Sequence, residues 1–537
     1  MAVHSLMAKF LASDASSKLP AGTALVAAMT GLIVFLGWFV TQKWQYPYKE
    51  PYFRQPHGVA AAPHLEKTIM DNYERVGKKF TPIIFGSQRS KSLLESISLQ
   101  LKNRFYRVEQ PHADVLIIPP KFVDELKTHP HATFKPEGDV RFLPQYTYMG
   151  TLDGSADAAI IPAVRDVFTK HLARIVELMR NEAALGIEIH IRHPEEWTPI
   201  LPVQTMVQIV AQVAGAYVVG PDLARTPDFL ECSITFTSNC FDAAAALLQY
   251  PIWLRPLMQY FTPAISRCRD SYLKMRDIIK PLIDERMQLA ASGKPIPRDL
   301  LALVMEYSPP HLRGDIDFQA RNQLIIGMAS THTTSMTLTN ALFDLAARPE
   351  YIEPLREEIS SVLDGDRTIG SLSKNGLLKL RKLDSFLKES ARFSPLNTTS
   401  FARGLSAPIT LSDGTVLPRG THLAAAAKPL SLDIEYYDQP KVFDGFRFAR
   451  LREKTGNADR YQFVSTTVEA MHFGHGKHAC PGRHLADQQI KIIMIHIIQN
   501  YDIRLRDGEG RPENQVMANG PHPDLSIPIL FRKRGVA

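Results

Sequence analysis

The stretch Phe473-Gly474-His475-Gly476-Lys477-His478-Ala479-Cys480-Pro481-Gly482-Arg483 holds most of the side chains that could do chemistry. A cysteine acts as nucleophile or metal ligand only as its thiolate. The glycines allow tight turns and close backbone approach, and Pro481 is compatible with the first turn of a helix. The following HLADQQIKIIMIHIIQNY puts Ile490, Ile493, Met494 and Ile497 on one helical face. Cys480 therefore falls at a loop-to-helix junction, where free N–H groups and the positive end of the helix favour the thiolate. Three roles are open: a plain buried cysteine, a zinc ligand with His472, His475, His478 and His484, or a thiolate ligand to haem iron. The zinc spacing fits no familiar ligand pattern, and no second cysteine is near. The remaining cysteines, Cys232, Cys240 and Cys268, are too few and too irregular for a disulfide framework, so a reducing compartment is the default.

Two further groupings matter. In LDSFLKESARFSP, from Leu383 to Pro395, Glu389 and Arg392 are three apart and share a helix face. On its own such a pair is a surface salt bridge of small value. Upstream, Asp317 as cap and Pro349 as stop bracket a helix of about thirty residues, well above the usual length. Its flanks are apolar, but Ser330-Thr331-His332-Thr333-Thr334 forms a polar knot at its centre. Serine and threonine can bond back to the carbonyl four residues earlier, and a buried polar group is costly unless it is satisfied or used.

The cysteine stretch matches every fixed position of F-x-x-G-x-[R/H]-x-C-x-G. It thereby resembles the haem-binding signature of cytochromes P450, in the form FGHGKHACPGR common among fungal members. Glu389 and Arg392 match the family's E-x-x-R, and Arg447, in FDGFRF, matches the arginine that completes that cluster. Ala329 to Thr333 resembles [A/G]-G-x-[D/E]-T, with Ser330 for the second glycine, His332 for the acid, and the threonine kept. The resemblance implies that Cys480 is the axial ligand of haem (iron protoporphyrin IX) and that Phe473 borders it. His478, Arg403 and Arg165 would meet the propionates, although the tryptophan of the family's W-x-x-x-R is replaced by Ile161. Thr333 and His332 would be the catalytic pair, with His332 as proton relay or as packing. Glu389, Arg392 and Arg447 would hold the cysteine loop.

The resemblance also implies a monooxygenase using O2 and electrons from NADPH through a cytochrome P450 reductase. Arg141 to Gly154 and Pro395 to Phe401 resemble pocket-lining regions and suit a bulky lipophilic secondary metabolite, a terpenoid first. Alternatives are a haem-thiolate isomerase or peroxygenase variant, or a haem-binding membrane protein without turnover.

The elements that must position these groups are mainly helical with a minor β part. Ala163–Arg180 and Pro202–Val219 read as helices, Ala113–Ile118 and Gly186–Ile191 as strands, and Asp413-Gly414 as a hairpin turn. Pro440 onward reads as a long irregular stretch. Apolar residues make up 45% and charged residues 22%, which places the chain among globular proteins. The net charge of +7 comes from scattered residues without a dense Lys/Arg run, which argues against a nucleic-acid partner and fits a membrane surface or an acidic protein.

Residues 21–40 carry no charge, and twenty residues at ~1.5 Å rise span ~30 Å, a bilayer core. The expected organisation is an N-terminal tail (1–20), a transmembrane anchor (21–40), a proline-rich linker (41–56) and a catalytic domain (57–537). Lys43, Lys49 and Arg54 outnumber Lys9 and Lys18, which orients the domain toward the cytosol. The expectation is therefore a single-pass protein of the endoplasmic reticulum membrane.

Overall fold

The computed structural model describes residues 52–53, 102–110, 112–150, 155–366, 369–517 and 520–535. The tail, the anchor and most of the linker expected from the sequence lie outside the described residues. Unit Tyr52–Ala537 carries all that follows.

The longer helices are α1 (Lys135–Phe142), α2 (Ser155–Lys170), α3 (Leu172–His190), α4 (Pro202–Val219), α5 (Pro227–Leu248), α6 (Pro263–Ala291), α7 (Leu300–Tyr307), α8 (Ile316–Ala346), α9 (Ile352–Val362), α10 (Arg381–Phe393), α11 (Arg447–Glu453) and α12 (Arg483–Asn500). The strands are β1 (Tyr52–Phe53), β2 (Tyr106–Glu109), β3 (Asp114–Ile117), β4 (Ala132–Thr133), β5 (Thr198–Ile200), β6 (Ser400–Leu405), β7 (Ile409–Thr410), β8 (Val416–Leu417), β9 (His422–Ala425), β10 (Tyr501–Arg504), β11 (Gln515–Met517), β12 (Gly520–His522) and β13 (Ile529–Lys533). The main sheet runs β1-β2-β3-β9-β6-β4.

The helical core forms around α8. Helix α4 packs on α3 and α8, α5 packs on α6 and α8, and α12 packs on α3 and α8. Helix α4 is buried nearly all round, which explains why it passes the length and apolarity test for a membrane span while standing inside the domain. Helix α12 likewise buries Ile492, Ile495 and Ile498 as well as the face expected from its sequence.

Three local expectations are corrected. Gly186–Ile191 is the end of α3 and its cap, not a strand. Ile187 and Ile191, four apart, are buried, while Ile189 between them is 51% exposed, so alternation over six residues concealed a helical period. The cap of α8 is Asp315, whose Oδ1 accepts from the Phe318 amide at 2.7 Å. Asp317 instead accepts from the Tyr272 hydroxyl at 2.7 Å and pairs with Arg276 at 3.0 Å. The stretch after Pro440 is not wholly irregular, since it contains α11. The Asp413-Gly414 turn does join an antiparallel pair, β7 and β8, with Gly414 at φ 85° and the Thr415 amide donating to Asp413.

Buried charges bind the helices together. Asp384 on α10 takes Lys491 of α12 at 2.7 Å, Arg452 of α11 at 3.2 Å and the Phe463 amide at 3.0 Å. Lys491 also reaches Asp487 at 2.8 Å. Asp344 on α8 accepts from Ser390 at 2.6 Å and pairs with Arg511 at 3.0 Å, which ties α8 to α10 and to the C-terminal segment. At the sheet, Glu137 of α1 takes His112 at 2.7 Å and His422 at 2.6 Å. Burial alone would raise the Glu137 carboxyl, but the two imidazole hydrogen bonds outweigh it and hold it at about 2.

Removing one member of a buried ion cluster strands its partners in a dry interior. Asp384→Ala should therefore lower unfolding stability by about 3–5 kcal/mol in chemical denaturation, whereas exchanging the exposed pair member Asp284 for alanine should change it by less than about 1 kcal/mol. Equal, small effects would remove Asp384 from this role.

Candidate functional site

The cysteine loop is held by its backbone. The Cys480 amide donates to the Phe473 carbonyl at 2.8 Å, and the Ala479 amide to that of Gly476 at 3.0 Å. The Lys477 amide donates to the Lys127 carbonyl at 2.9 Å. Gly476 sits at φ 72°, and a Cβ there would lie 2.5 Å from the Lys127 carbonyl oxygen, so this position excludes a side chain. Phe473 meets the Phe463 ring edge-on at 5.1 Å, and His472 stacks on the same ring.

The backbone of Gly482 and Arg483, at the start of α12, and the Arg483 guanidinium all favour the Cys480 thiolate. Burial is nevertheless the larger effect, and it leaves the thiol above its ordinary value. The helix terminus thus supplies the expected donors but does not by itself ionise the sulfur. A cation at the sulfur would complete the stabilisation.

The histidines of the loop do not converge. His472 donates from Nε2 to the Phe463 carbonyl at 2.7 Å, and His475 faces Thr466 and Asp124. Among the described residues, no three His, Cys, Asp or Glu side chains are grouped to hold a metal ion, which removes the zinc alternative for that loop.

Behind the loop stands a fully buried carboxylate. Glu389 receives Arg392 through two hydrogen bonds, at 2.8 and 2.7 Å, and Arg447 at 3.3 Å. The Asp444 amide adds a fourth donor at 2.9 Å. Arg392 spends its other nitrogen on the carbonyls of Ser431 and Pro440, each at 2.7 Å, and Arg447 reaches the Val442 carbonyl at 3.0 Å. One guanidinium fork and a second, single guanidinium contact on the same carboxylate make a charge-assisted clamp on the 431–447 segment.

Two other polar groups have the opposite character. Arg403 on β6 is 2% exposed and makes no ion pair among the described residues. It donates to the carbonyls of His475 at 2.9 Å and Ala402 at 2.8 Å, while its Nε has no partner. Burial pushes its guanidinium down to about 10. The Nε2 of His478 is also buried without a partner, and burial, with Arg403 and Lys477 nearby, pushes its ring down to about 4. A buried guanidinium is costly unless an anion meets it. Arg403 reaches the Cys480 loop and His478 belongs to it, so a thiolate-binding metal cofactor carrying carboxylates fits the residues present, and haem with its two propionates is such a group. Arg165 stands exposed on α2.

In α8 the polar knot is satisfied partly within the helix and partly by α5. Ser330 bonds back to Ile326 at 2.7 Å, Thr333 to Ala329 at 2.7 Å and Thr337 to Thr333 at 2.8 Å. Thr333 is exposed although α8 runs through the core. His332 turns toward α5 and donates from Nε2 to the Ile234 carbonyl at 2.8 Å, and burial lowers its pKa. Sequence reasoning missed this partner, which is 98 residues away, and it missed the Asp384 cluster. Only the apolar settings of Asp384 and Lys491 hinted at the latter.

With this geometry in place, the comparisons agree. The chain belongs to the cytochrome P450 family, whose profile matches residues 157–524. It is 37% identical over 436 residues to cytochrome P450 monooxygenase prx8 of Penicillium rubens, covering 81% of this chain and 80% of that protein. Cytochrome P450 monooxygenase ORF5 of Penicillium roqueforti matches to the same extent, and BOA4 of Botryotinia fuckeliana is 34% identical, covering 81% and 87%. The chain is a monooxygenase of fungal type, and membership implies haem iron, a small-molecule substrate and a redox partner.

Glu389→Gln keeps the shape of the clamp but removes the charge between two buried guanidiniums. It should cost about 3–5 kcal/mol and lower the haem content of purified protein. Full stability and full haem occupancy in this variant would show that the clamp does not support the loop.

Proposed function

We propose that this protein is a membrane-associated haem-thiolate monooxygenase of secondary metabolism, oxidising a lipophilic substrate, a terpenoid first, with electrons from NADPH through a cytochrome P450 reductase. The observation that carries the proposal is the conjunction, at one loop, of the Cys480 sulfur with two buried nitrogens that lack partners, Arg403 Nε and His478 Nε2.

In this assignment Cys480 is the iron ligand, Phe473 borders the ring, and Arg403, His478 and Arg165 receive the propionates. When bound, haem supplies oxygen activation, and a thiolate ligand favours O–O cleavage. The chain's own residues do the rest. Glu389, Arg392 and Arg447 fix the loop that aims the sulfur. Thr333 presents its hydroxyl on the exposed face of α8, with its proton donated to the Ala329 carbonyl and its oxygen open to accept a hydrogen bond from a water. His332 anchors α8 to α5 through Ile234, so water carries the proton that the family's acid would handle. The segments 141–154 and 395–401 shape the substrate pocket.

The proposed organisation is a tail (1–20), an anchor (21–40), a linker (41–56) and a catalytic domain (57–537) facing the cytosol at the endoplasmic reticulum. The uncharged run 21–40 supports the anchor. The exposed side chains of Ile252, Trp253, Leu257, Tyr260 and Phe261, between α5 and α6, support contact with a lipid surface.

One observation favours a second possibility. With its Nε2 proton committed to Ile234, His332 is poorly placed as a relay, which suits a peroxide-driven or isomerase variant.

The reduced, carbon monoxide-treated protein should show the red-shifted band of a thiolate-ligated haem, and Cys480→Ala should lose it. Retention of that band in the variant would end the assignment. Expression with a reductase should yield an oxidised terpenoid product. Turnover with peroxide but not with NADPH and reductase would select the second possibility, and conversion of only fatty acids or simple aromatics would exclude the terpenoid.

A further inference from the structure

A cavity of about 330 Å3 opens between α10, α11 and the segment 436–470. Tyr436, Tyr437, Phe448 and Tyr461 make its wall aromatic, while Lys388 and Glu469 make it polar. Cys480, Thr333, Arg403 and His478 do not line it. A tighter neighbouring cleft shares Lys388, Tyr437, Phe448 and Glu469 and continues to Arg392 and His472. The volume falls within the range of small-molecule sites, and an apolar wall with a few converging polar groups is their usual composition.

Lys388 is the informative residue. It is 3% exposed and has no ion-pair partner among the described residues. The nearest carboxylate on its own helix, Asp384, is committed to Lys491 and Arg452. The Lys388 ammonium donates to the carbonyls of Gln462 at 2.8 Å and Ser465 at 3.1 Å, and it lies 5.2 Å from the Phe448 ring centre. An ammonium has three donors, so one N–H remains. Burial pushes the amine down to about 8. Asp384 and Glu469 oppose that shift, and Arg452 adds to it. At neutral pH Lys388 is therefore still mostly a cation. Glu469, on the same wall, also has no ion-pair partner among the described residues, although its backbone carbonyl accepts from the Tyr437 hydroxyl.

A cation and a carboxylate on one aromatic wall select a ligand with an acceptor end and a donor end. A dianion would meet Glu469 and, at the rim, Asp459. An amine would meet Lys388 and Arg460, and a plain hydrocarbon would leave Lys388 unmatched. We propose that this cavity is a second ligand site for a phenolic acid, an aromatic ring bearing one carboxylate for Lys388 and one hydroxyl that donates to Glu469. The ring would stack among the tyrosines and Phe448. Because the adjoining cleft reaches Arg392 and His472, an occupant would press on the supports of the cysteine loop from behind. The site stands independently of which substrate the enzyme oxidises.

The test is calorimetric titration of the haem-loaded full chain with 4-hydroxycinnamate and with cinnamate. The expected result is saturable 1:1 binding of 4-hydroxycinnamate, weakened about tenfold or more in Lys388→Met, the loss of one charge-assisted hydrogen bond. Glu469→Gln should weaken 4-hydroxycinnamate but not cinnamate. Cinnamate affinity should fall as pH rises through about 8, because the cation that holds its carboxylate is lost there. Thr467→Trp, an exposed lining position, should block the cavity without removing a buried charge, so it serves as the test if Lys388→Met fails to fold. Absence of saturable binding, equal affinity in Thr467→Trp, or displacement of the probe by imidazole bound at the iron would overturn the proposal. The last outcome would put the probe in the catalytic pocket.

Discussion

A carboxylate that never touches water holds much of this domain in place. Glu389 has four donors around it, three from guanidinium nitrogens and one from the backbone of Asp444. Both arginines then continue outward to carbonyls between Ser431 and Val442. That segment lacks a long helix or strand of its own, so its path is set by charge rather than by a backbone ladder. Five residues earlier on α10, Asp384 does the same for the next stretch by gripping the Phe463 amide, with Lys491 and Arg452 as counter-charges. A single helix thus fixes two successive parts of the long approach to the cysteine. Phe463, held in this way, is the ring against which Phe473 and His472 rest.

The domain treats its buried cations in two ways. Arg392, Arg447, Arg452 and Lys491 are neutralised by carboxylates of the fold itself. Arg403 and Lys388 are not, and both have their pKa values lowered by burial. Stability alone favours the first arrangement. The second is tolerable where carbonyl oxygens partly solvate the cation and an outside anion completes it. Arg403 reaches the cysteine loop at His475, while Lys388 faces the cavity between α10 and α11, so the two cations stand in separate places.

Much of this was legible in the amino-acid order because some chemistry is local. The loop around Cys480, the Glu389–Arg392 spacing, the long α8 and the Asp413-Gly414 hairpin each depend on residues within a few positions of one another. What escaped depends on distant partners. Asp315 and Asp317 are equally good caps on paper, and only the nearby Tyr272 and Arg276 of α6 claim Asp317 for another purpose. Gly186–Ile191 alternates as a strand would, but α3 already had a buried stripe for its isoleucines to extend. His332 could be seen as unusual, yet its Ile234 partner belongs to a helix whose placement no local pattern encodes. Asp384 and Lys491 lie 107 residues apart, and no spacing rule joins them.

The grip of the cysteine loop on Lys127, with His475 facing Asp124 across 351 residues of chain, also bears on biosynthesis. Translation delivers the Lys127 side long before the loop, with 351 residues separating Asp124 from His475. A nascent chain stopped before His475 has the early half of that contact and nothing to close it. The backbone contact that seats the cysteine loop therefore forms only once residues from both ends of that long separation have been made.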